Sequence, residues 1–292
     1  LGLGITGSSC ANYFITNDIE FRIFDTRPAS DIDQPISIYN ANILYLQKYD
    51  DSIFDQVDEM VISPGFDKNH EILKESVTRD IPQLTDIDIF KKYCDKPIIS
   101  VTGTNGKTTI VSMIEHVLCH TGRKAIACGN NGISPLSVNT DLYDYIILEL
   151  SSYQLEYMCD FNSHISLFAN IDQDHLERHE SMLDYLNIKL KIFRSSNFSI
   201  INKSLLESYK NKIAKEDKYI YGLTDTNVLI NNKVINEVSY DSSTLYFNKK
   251  FNLSHRGTHN LENIVGVCSV VEILNIDIIE CLRSLISYSH LP

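Results

Sequence analysis

No CxxC pair occurs among the seven cysteines of this 292-residue chain (Cys10, Cys94, Cys119, Cys128, Cys159, Cys268 and Cys281). That spacing excludes the usual zinc and dithiol motifs. Several of these cysteines fall inside expected helices or strands, so they read as reduced core thiols. No apolar run approaches the ~20 residues of a membrane span, and no signal peptide is visible. A membrane-spanning helix therefore has no candidate segment, and the expected compartment is the cytoplasm. Positive charge is short as well: 26 Lys and Arg stand against 38 Asp and Glu, a formal net charge of -12. Such a balance argues against nonspecific binding to nucleic acid or to an anionic membrane, so any basic site must be local. There is no internal repeat, no low-complexity tract and no glycine-rich linker.

Hydrophobic residues make up 43% of the chain, ample for a packed core, and the length suits two domains. In the first part, LGLGITG (residues 1 to 7) matches GxGxxG, and Asp25 ends a second apolar strand, FRIFD. That pair is a weak dinucleotide fingerprint, in which the acid would bind a ribose. MVISPG is another strand, ending in a turn with Ser63, Pro64 and Gly65. IPQLTDIDIF carries a short strand and a helix start at Thr85 or Asp86, which places the domain boundary at 85/86. Leu1 is expected to lie inside a strand with residues before it, and the chain is expected to be part of a longer protein.

From Pro97 onward strands and helices alternate. PIISV precedes the helix KTTIVSMIEHVLCH, KAIAC precedes a GNNG turn, YIILEL precedes a helix around SSYQLEYM, and HISLFA precedes a loop and the helix SMLDYLNIKLKIF. Alternation of this kind predicts a mostly parallel sheet with helices on both faces. Residues 218 to 253 hold short strand-like runs and Asn/Asp turns, a small antiparallel extension, and the helix HNLENIVGVCSVVEIL follows. The whole reads as α/β, with an N-terminal Rossmann-like domain over 1–85 and a central P-loop ATPase domain over 86–292.

The stretch ISVTGTNGKTTIV (99 to 111) is a strand, a glycine-bracketed loop and a helix start. A helix start offers unpaired amides and the positive end of the dipole, a natural phosphate site. Gly103 and Gly106 let the backbone approach an anion, Lys107 adds a point charge, and the Thr108 hydroxyl is placed for Mg²⁺. The usual pattern has a glycine where this chain has Val101, so the loop is a compact variant. In open α/β sheets ligands gather beyond the carboxyl ends of the strands. Glu149 ends YIILEL, where burial without a partner would be costly and a Mg²⁺ would offset that cost. Its bland alternative is a cap on the following SSYQ turn. Asp174 and His175 follow HISLFA. His179, four residues after His175, reads as a solvated helix residue. His116 and His120 have no surrounding HExxH and read as structural. Lys189 sits four residues after Tyr185, three after Leu186 and four before Phe193, beside an apolar stripe from which a lysine ordinarily snorkels.

Together GTNGKTT, LELSSYQLE, the set LGLGITG, DTR and SPG, and GTHNLEN near the end resemble the Mur ligases of peptidoglycan synthesis over nearly the whole chain. Within that family they resemble the branch that adds D-glutamate. The resemblance implies an ATP-dependent acid:amino acid ligase that joins D-glutamate to UDP-N-acetylmuramoyl-L-alanine through an acyl phosphate, with ATP and Mg²⁺ as cofactors. It implies that Ile5, Thr6, Asp25, Thr26, Arg27, Ser63, Pro64 and Gly65 hold the UDP part of the substrate. Gly103, Thr104, Asn105, Gly106, Lys107, Thr108 and Thr109 would bind ATP phosphates, with Asn260 and Asn263 near the base and ribose. Thr108 and Glu149 would hold one Mg²⁺. Asn130 and His175 would face the sugar-nucleotide and the reacting carboxylate. Lys189 would be carbamylated and, with His175, would support a second Mg²⁺. The family has a third domain that begins where this chain ends, so the piece is expected to bind the UDP-substrate, as a monomer, without turnover. Alternatives left open are another Mur ligase, a folylpolyglutamate synthase-like ligase and, less well matched, an NAD-binding oxidoreductase.

Overall fold

The computed structural model describes residues 1–33, 39, 43–158, 162–174, 178–224, 227–240, 244–247, 251–254 and 258–288. It divides into two compact units: Leu1–Asp95 with Ile133–Val138 and Glu156–Phe161, and Lys96–Gly132 with Asn139–Leu155 and Asn162–Pro292.

In the first unit, α1 (Ile5–Thr16) follows the glycine-rich start, and β1 (Ile23–Asp25) pairs in parallel with β2 (Leu44–Leu46). A second parallel pair joins β3 (Met60–Val61) to β4 (Gln83–Leu84), flanked by α2 (Glu71–Thr78) and α3 (Asp86–Tyr93). Residues 1 to 3 run between β1 and β3: Gly2 N donates to Phe24 O (2.8 Å), and Ser63 N donates to Leu1 O (2.9 Å). Gly7 is obligatory at the start of α1, because a Cβ there would sit 1.8 Å from Gly2 O. The core is Phe24, Ile62, Ile72 and their neighbours. Thr85 caps α3 in a reciprocal box with Asp88, at the residue the sequence indicates. Helix α3 lies past the expected boundary at 85/86 but belongs to the first unit, because it packs on β4 and on the turn Pro135–Ser137.

The second unit begins with β5 (Ile98–Thr102), α4 (Lys107–His120), β6 (Ala125–Gly129), β7 (Tyr145–Glu149), α5 (Ser152–Tyr157, whose last two residues count with the first unit) and β8 (Asn162–Phe168). It continues with α6 (Met182–Leu190), β9 (Ser195–Asn202), α7 (Lys203–Ser208) and β10 (Lys218–Leu223). Then come β11 (Asn227–Ile230), β12 (Lys233–Tyr240), β13 (Thr244–Phe247) and β14 (Phe251–Ser254), followed by α8 (Thr258–Ile273) and α9 (Ile278–Ile286). All ten strands form one sheet in the order β14-β13-β12-β11-β10-β9-β8-β5-β7-β6. Pairing is parallel from β6 to β10 and antiparallel from β10 to β14. The antiparallel extension therefore starts at the strand the Asn/Asp-turn pattern marks. Sequence inspection singles out neither β9, α7 nor α9.

Successive strand residues feed opposite faces. Leu167 and Ile200 join a core with α4, α8 and α9, whereas Phe168 and Ile201 join one with α6 and α7. Helix α4 buries Ile110, Val111, Met113, Ile114, Val117 and Leu118 completely. At about 1.5–3 kcal/mol per side chain, that face fixes the helix behind the loop it caps. Among the described residues, no helix is long and apolar enough to cross a membrane.

Candidate active site

Strand register sets the site. Val101 pairs with Glu149 and with Leu167, and Gly129 pairs with Glu149. The tips of β6, β7, β5 and β8 thus end in one row, at the carboxyl edge where α/β sheets bind ligands. Gly129 holds φ +105°, and a Cβ there would lie 2.4 Å from Glu149 O. Only glycine lets β6 close on β7, after which Asn130 N donates to Glu149 O (2.9 Å).

Over this edge runs the loop from Gly103 to Gly106. Val101 is fully buried inside β5, which extends through Thr102, so the strand occupies the place of the missing first glycine and the loop is short. Gly106 takes the left-handed conformation (φ +74°) as the N-cap of α4 and offers no side-chain cap, so the first-turn amides of α4 have no capping side chain. A Cβ on Gly106 would meet Asn263 Nδ2 at 2.8 Å. Asn170, which sequence inspection passes over, braces the loop. Its Oδ1 accepts from Thr104 N (3.0 Å) and Asn105 N (2.9 Å), and its Nδ2 donates to Asn105 O (2.9 Å). The only sequence signal is a polar residue directly after an apolar strand. Asp172 adds to the bracing, since its carboxylate accepts from Asn105 Nδ2 (2.9 Å) and its amide donates to Thr104 Oγ1 (3.0 Å). Lys107 Nζ donates to Thr104 O (2.8 Å). Burial lowers the Lys107 pKa, with Glu149 and Asp174 pulling the other way. Thr109 lies in the first turn of α4.

Glu149 is 1% exposed. Its carboxylate accepts from Thr108 Oγ1 (2.8 Å) and from Asn130 Nδ2 (2.9 Å), both neutral donors. It does not cap the next turn: Ser151 does, its Oγ accepting from Gln154 N (3.2 Å) while its own N donates to Gln154 Oε1 (3.0 Å). A buried carboxylate beside a hydroxyl, with no cation bonded to it among the described residues, is the oxygen donor set a hard divalent ion takes. The residues present therefore fit Mg²⁺, and the glycine cradle with Lys107 fits a phosphate.

Lys189 does not snorkel. It is 1% exposed, and its Nζ donates to Gly103 O (2.8 Å) and Thr102 Oγ1 (3.4 Å) and lies 4.8 Å from the Tyr185 ring centroid. The phosphate loop supplies the carbonyl that spacing alone does not reveal. Burial, reinforced by Lys107 and opposed by Asp174, lowers its pKa to about 7. His179 is corrected too: it is fully buried, in the turn before α6 rather than on a solvated helix face. His175 lies outside the described residues. His116 Nε2 bonds Ser284 O (2.9 Å) and its ring stacks on His120, and no group of metal-binding side chains forms among the described residues. Asn263 is buried and touches the phosphate loop, whereas Asn260, one turn earlier on α8, is half-buried.

In the first unit, Ile5 is 70% exposed at the start of α1, and Thr6 beside it is half-buried. Thr26 and Gly65 are exposed and Pro64 is half-buried. Ser63 Oγ donates to Gly2 O (2.9 Å), tying the SPG turn to the glycine-rich start. Asp25 is buried, and both its oxygens are engaged, by Leu3 N (2.6 Å), Arg27 N (2.8 Å), Arg27 Nε (3.0 Å) and Arg27 Nη2 (2.9 Å). Burial alone would raise its pKa, but the Arg27 and amide hydrogen bonds outweigh it and hold the carboxyl below its usual value. Asp25 is thus an anchor for Leu3 and Arg27, not the open ribose acceptor of a dinucleotide enzyme.

Residues 101–271 match the family described as Mur ligase middle domain, and residues 1–84 match the Mur ligase MurD-like N-terminal domain. The chain is 34% identical over 307 residues to the UDP-N-acetylmuramoylalanine–D-glutamate ligase of Buchnera aphidicola subsp. Acyrthosiphon pisum, covering 100% of this chain and 66% of that protein. It is 27% identical over 292 residues to the ligase of the same name from Coxiella burnetii, covering 99% and 66%. The chain therefore spans about two thirds of the length of these curated relatives. Its fold is similar to the UDP-N-acetylmuramate:L-alanyl-gamma-D-glutamyl-meso-diaminopimelate ligase from Neisseria meningitides (TM-score 0.60, 16% identity, 100% of this chain and 97% of that one). It is also similar to a pseudomurein peptide ligase type C from Methanothermus fervidus (TM-score 0.54, 18% identity, 100% and 70%). With the fold, both domain matches and the phosphate-loop geometry in agreement, the chain belongs to the Mur ligase family.

Proposed function

We propose that the protein is an ATP-dependent ligase that adds D-glutamate to UDP-N-acetylmuramoyl-L-alanine, acting as a monomer in the cytoplasm. One observation carries the reading: the Thr108 hydroxyl and the buried Glu149 carboxylate meet at 2.8 Å beside the Gly103–Gly106 loop and Lys107. The relatives' names, said of those proteins, support the acceptor and donor.

Residues 1–85 take the UDP-substrate, through Ile5, Thr6, Thr26, Arg27, Ser63, Pro64 and Gly65, with Asp25 fixing Arg27. Residues 86–292 take ATP, through Gly103 to Thr109 and through Asn260 and Asn263 of α8. Thr108 and Glu149 would hold Mg²⁺, which supplies charge neutralisation at the phosphoryl oxygens. The alanyl carboxylate attacks the γ-phosphorus, the bond to the ADP oxygen breaks, and an acyl phosphate forms. The D-glutamate amine then adds to the acyl carbon; the tetrahedral adduct loses a proton from nitrogen and expels inorganic phosphate. Lys107 neutralises charge developing on the transferred group, Asn130 and His175 orient the carboxylate, and the glycine loop positions the triphosphate. Lys189 would help hold a second Mg²⁺ as a carbamate, formed when its neutral amine adds to CO₂ and releases one proton. Burial that lowers its pKa to about 7 supports that chemistry, because it leaves a nucleophilic amine near neutrality.

The test is ADP release by the protein expressed from its complete gene. Turnover should require UDP-N-acetylmuramoyl-L-alanine and D-glutamate together, and UDP-N-acetylmuramate should not replace the former. Turnover with UDP-N-acetylmuramate and L-alanine instead would assign the protein to another step of the family.

A further inference from the structure

We propose that His179 is a positioning residue: its ring wedges Tyr185 into the place from which Tyr185 holds both the Thr104 side of the phosphate loop and Lys189. The inference rests on the ligase reading above. His179 is fully buried, and its ring lies on that of Tyr185, centroids 5.0 Å apart and planes at 25°. Tyr153 approaches the same imidazole at 5.9 Å, with Arg178 4.5 Å over the Tyr153 ring. The imidazole also has polar neighbours, Nε2 at 3.0 Å from Ser152 Oγ and Nδ1 at 4.0 Å from Asp184 Oδ2. Tyr185 is 1% exposed and carries two loads. Its hydroxyl lies 3.2 Å from Thr104 Oγ1, and its ring lies 4.8 Å from Lys189 Nζ, which in turn donates to Gly103 O at 2.8 Å.

A side chain that fixes the loop at Thr104 and, through Lys189, at Gly103 sets the loop's height above the sheet. Interiors are close-packed, so removing the imidazole opens a ring-sized void on the Tyr185 face, and Tyr185 relaxes into it. A sub-ångström retreat there moves two loop contacts together. Such displacement costs rate more than substrate affinity, since alignment for in-line transfer is stricter than binding. What does the work is an aromatic ring in that slot, not an ionisable imidazole. Ring-preserving substitution therefore restores function even though it loses the hydrogen bond to Ser152 and the polar approach to Asp184.

The experiment compares His179→Ala, His179→Phe and His179→Tyr in ADP-forming turnover of the protein expressed from its complete gene, with KM for ATP and for the UDP-substrate measured separately. His179→Ala should lower kcat between ~10- and 100-fold with KM for the UDP-substrate unchanged. The Phe or Tyr variant should recover to within about threefold of the parent. Tyr185→Phe keeps the stack and removes only the hydroxyl, so it should raise KM for ATP several-fold, and it decides the matter if His179→Ala does not fold. An unchanged kcat in His179→Ala, a Phe variant as slow as the Ala variant, or an unchanged KM for ATP in Tyr185→Phe would each overturn the proposal. A parent protein that forms no ADP would refute the ligase reading instead, a different outcome.

Discussion

Replacing Glu149 by Gln separates a ligand from a strut. The carboxylate is 1% exposed, and among the described residues it receives two neutral hydrogen bonds, at 2.8 Å from Thr108 and 2.9 Å from Asn130. Lys107 is a compensating charge for it, and the Lys107 pKa is itself lowered by burial. An ion held this way costs several kcal/mol of desolvation that its bonds return only in part. The amide of Gln fills the same volume and still accepts from Thr108. Asn130 is exposed, so its amide can turn to present oxygen to the new NH₂ group. Lys107 loses an attraction worth up to about 4 kcal/mol at the effective dielectric of such partly buried sites, which offsets the relieved desolvation. These opposing effects leave the unliganded stability within about 1 kcal/mol of the parent, a Tm change within roughly 2–4 °C for a domain of this size.

Activity should behave differently. A group aimed at charge that develops in the transition state is worth on the order of 10²–10³ in rate. The assay is paired: thermal melts with ADP alone and with ADP and Mg²⁺, then turnover. The parent should gain about 2.7 kcal/mol at a hundredfold excess of ligand over Kd. Glu149→Gln should keep the gain from ADP alone and lose the Mg²⁺-dependent increment. A variant that melts more than about 10 °C lower while turning over normally would show Glu149 to be a strut, and the site would have to be placed elsewhere.

Gly129→Ala should destabilise the second unit by more than about 3 kcal/mol, since the new Cβ would meet Glu149 O at 2.4 Å with φ at +105°; a denaturant midpoint equal to the parent's would refute that geometry. Asp25→Asn should lower stability by about 1–3 kcal/mol by weakening the bonds from Leu3 N and Arg27. Because its folded pKa is depressed, the difference should be present above the ordinary aspartate range and vanish as pH falls through the folded value; a pH-independent difference in urea melts contradicts this. Lys189→Met should stabilise the metal-free chain at neutral pH, because the folded pKa of about 7 lies below the unfolded value of 10.5. The parent binds fewer protons folded than unfolded between those values, so its stability should rise with pH across that window and the variant's advantage shrink; an advantage that grows with pH runs against the assigned burial.

Much of the second unit is legible because its central parallel strands are buried on both faces and read as mostly apolar runs. PIISV, YIILEL and HISLFA are such runs, and each ends in polar residues at the ligand edge. The phosphate loop was legible because its glycines and Lys-Thr pair are required by the backbone. Strand β9 was passed over because SSNFSIIN opens with polar residues that are exposed or half-buried in the strand, and only its second half is buried. The compact first unit reaches ten residues past the expected boundary at 85/86, although the N-terminal family match ends at residue 84. Thr85 signals a helix start, but nothing local says that the helix it starts will pack backward onto β4.

Lys189 and His179 mark where local pattern stops being informative. On a helix, spacing shows which residues share a stripe, and ordinary energetics then sends a charged member of that stripe to water. What reverses the outcome for Lys189 is a carbonyl more than eighty positions away in sequence, at Gly103. For His179 it is a ring on the next helix and a hydroxyl at Ser152, delivered by β7. Both partners exist only because the sheet brings the tips of β5, β7 and β8 into one row. The polar residues least readable from the sequence are therefore those that the row of strand tips converts from solvent-facing to buried, and at this edge they surround the phosphate loop. A systematic consequence is that function in this unit should respond more sharply to substitutions at buried polar positions near the loop (Asn170, His179, Tyr185, Lys189) than to equal-volume changes in the apolar core behind α4, where repacking among Ile110, Met113 and Ile114 preserves the row.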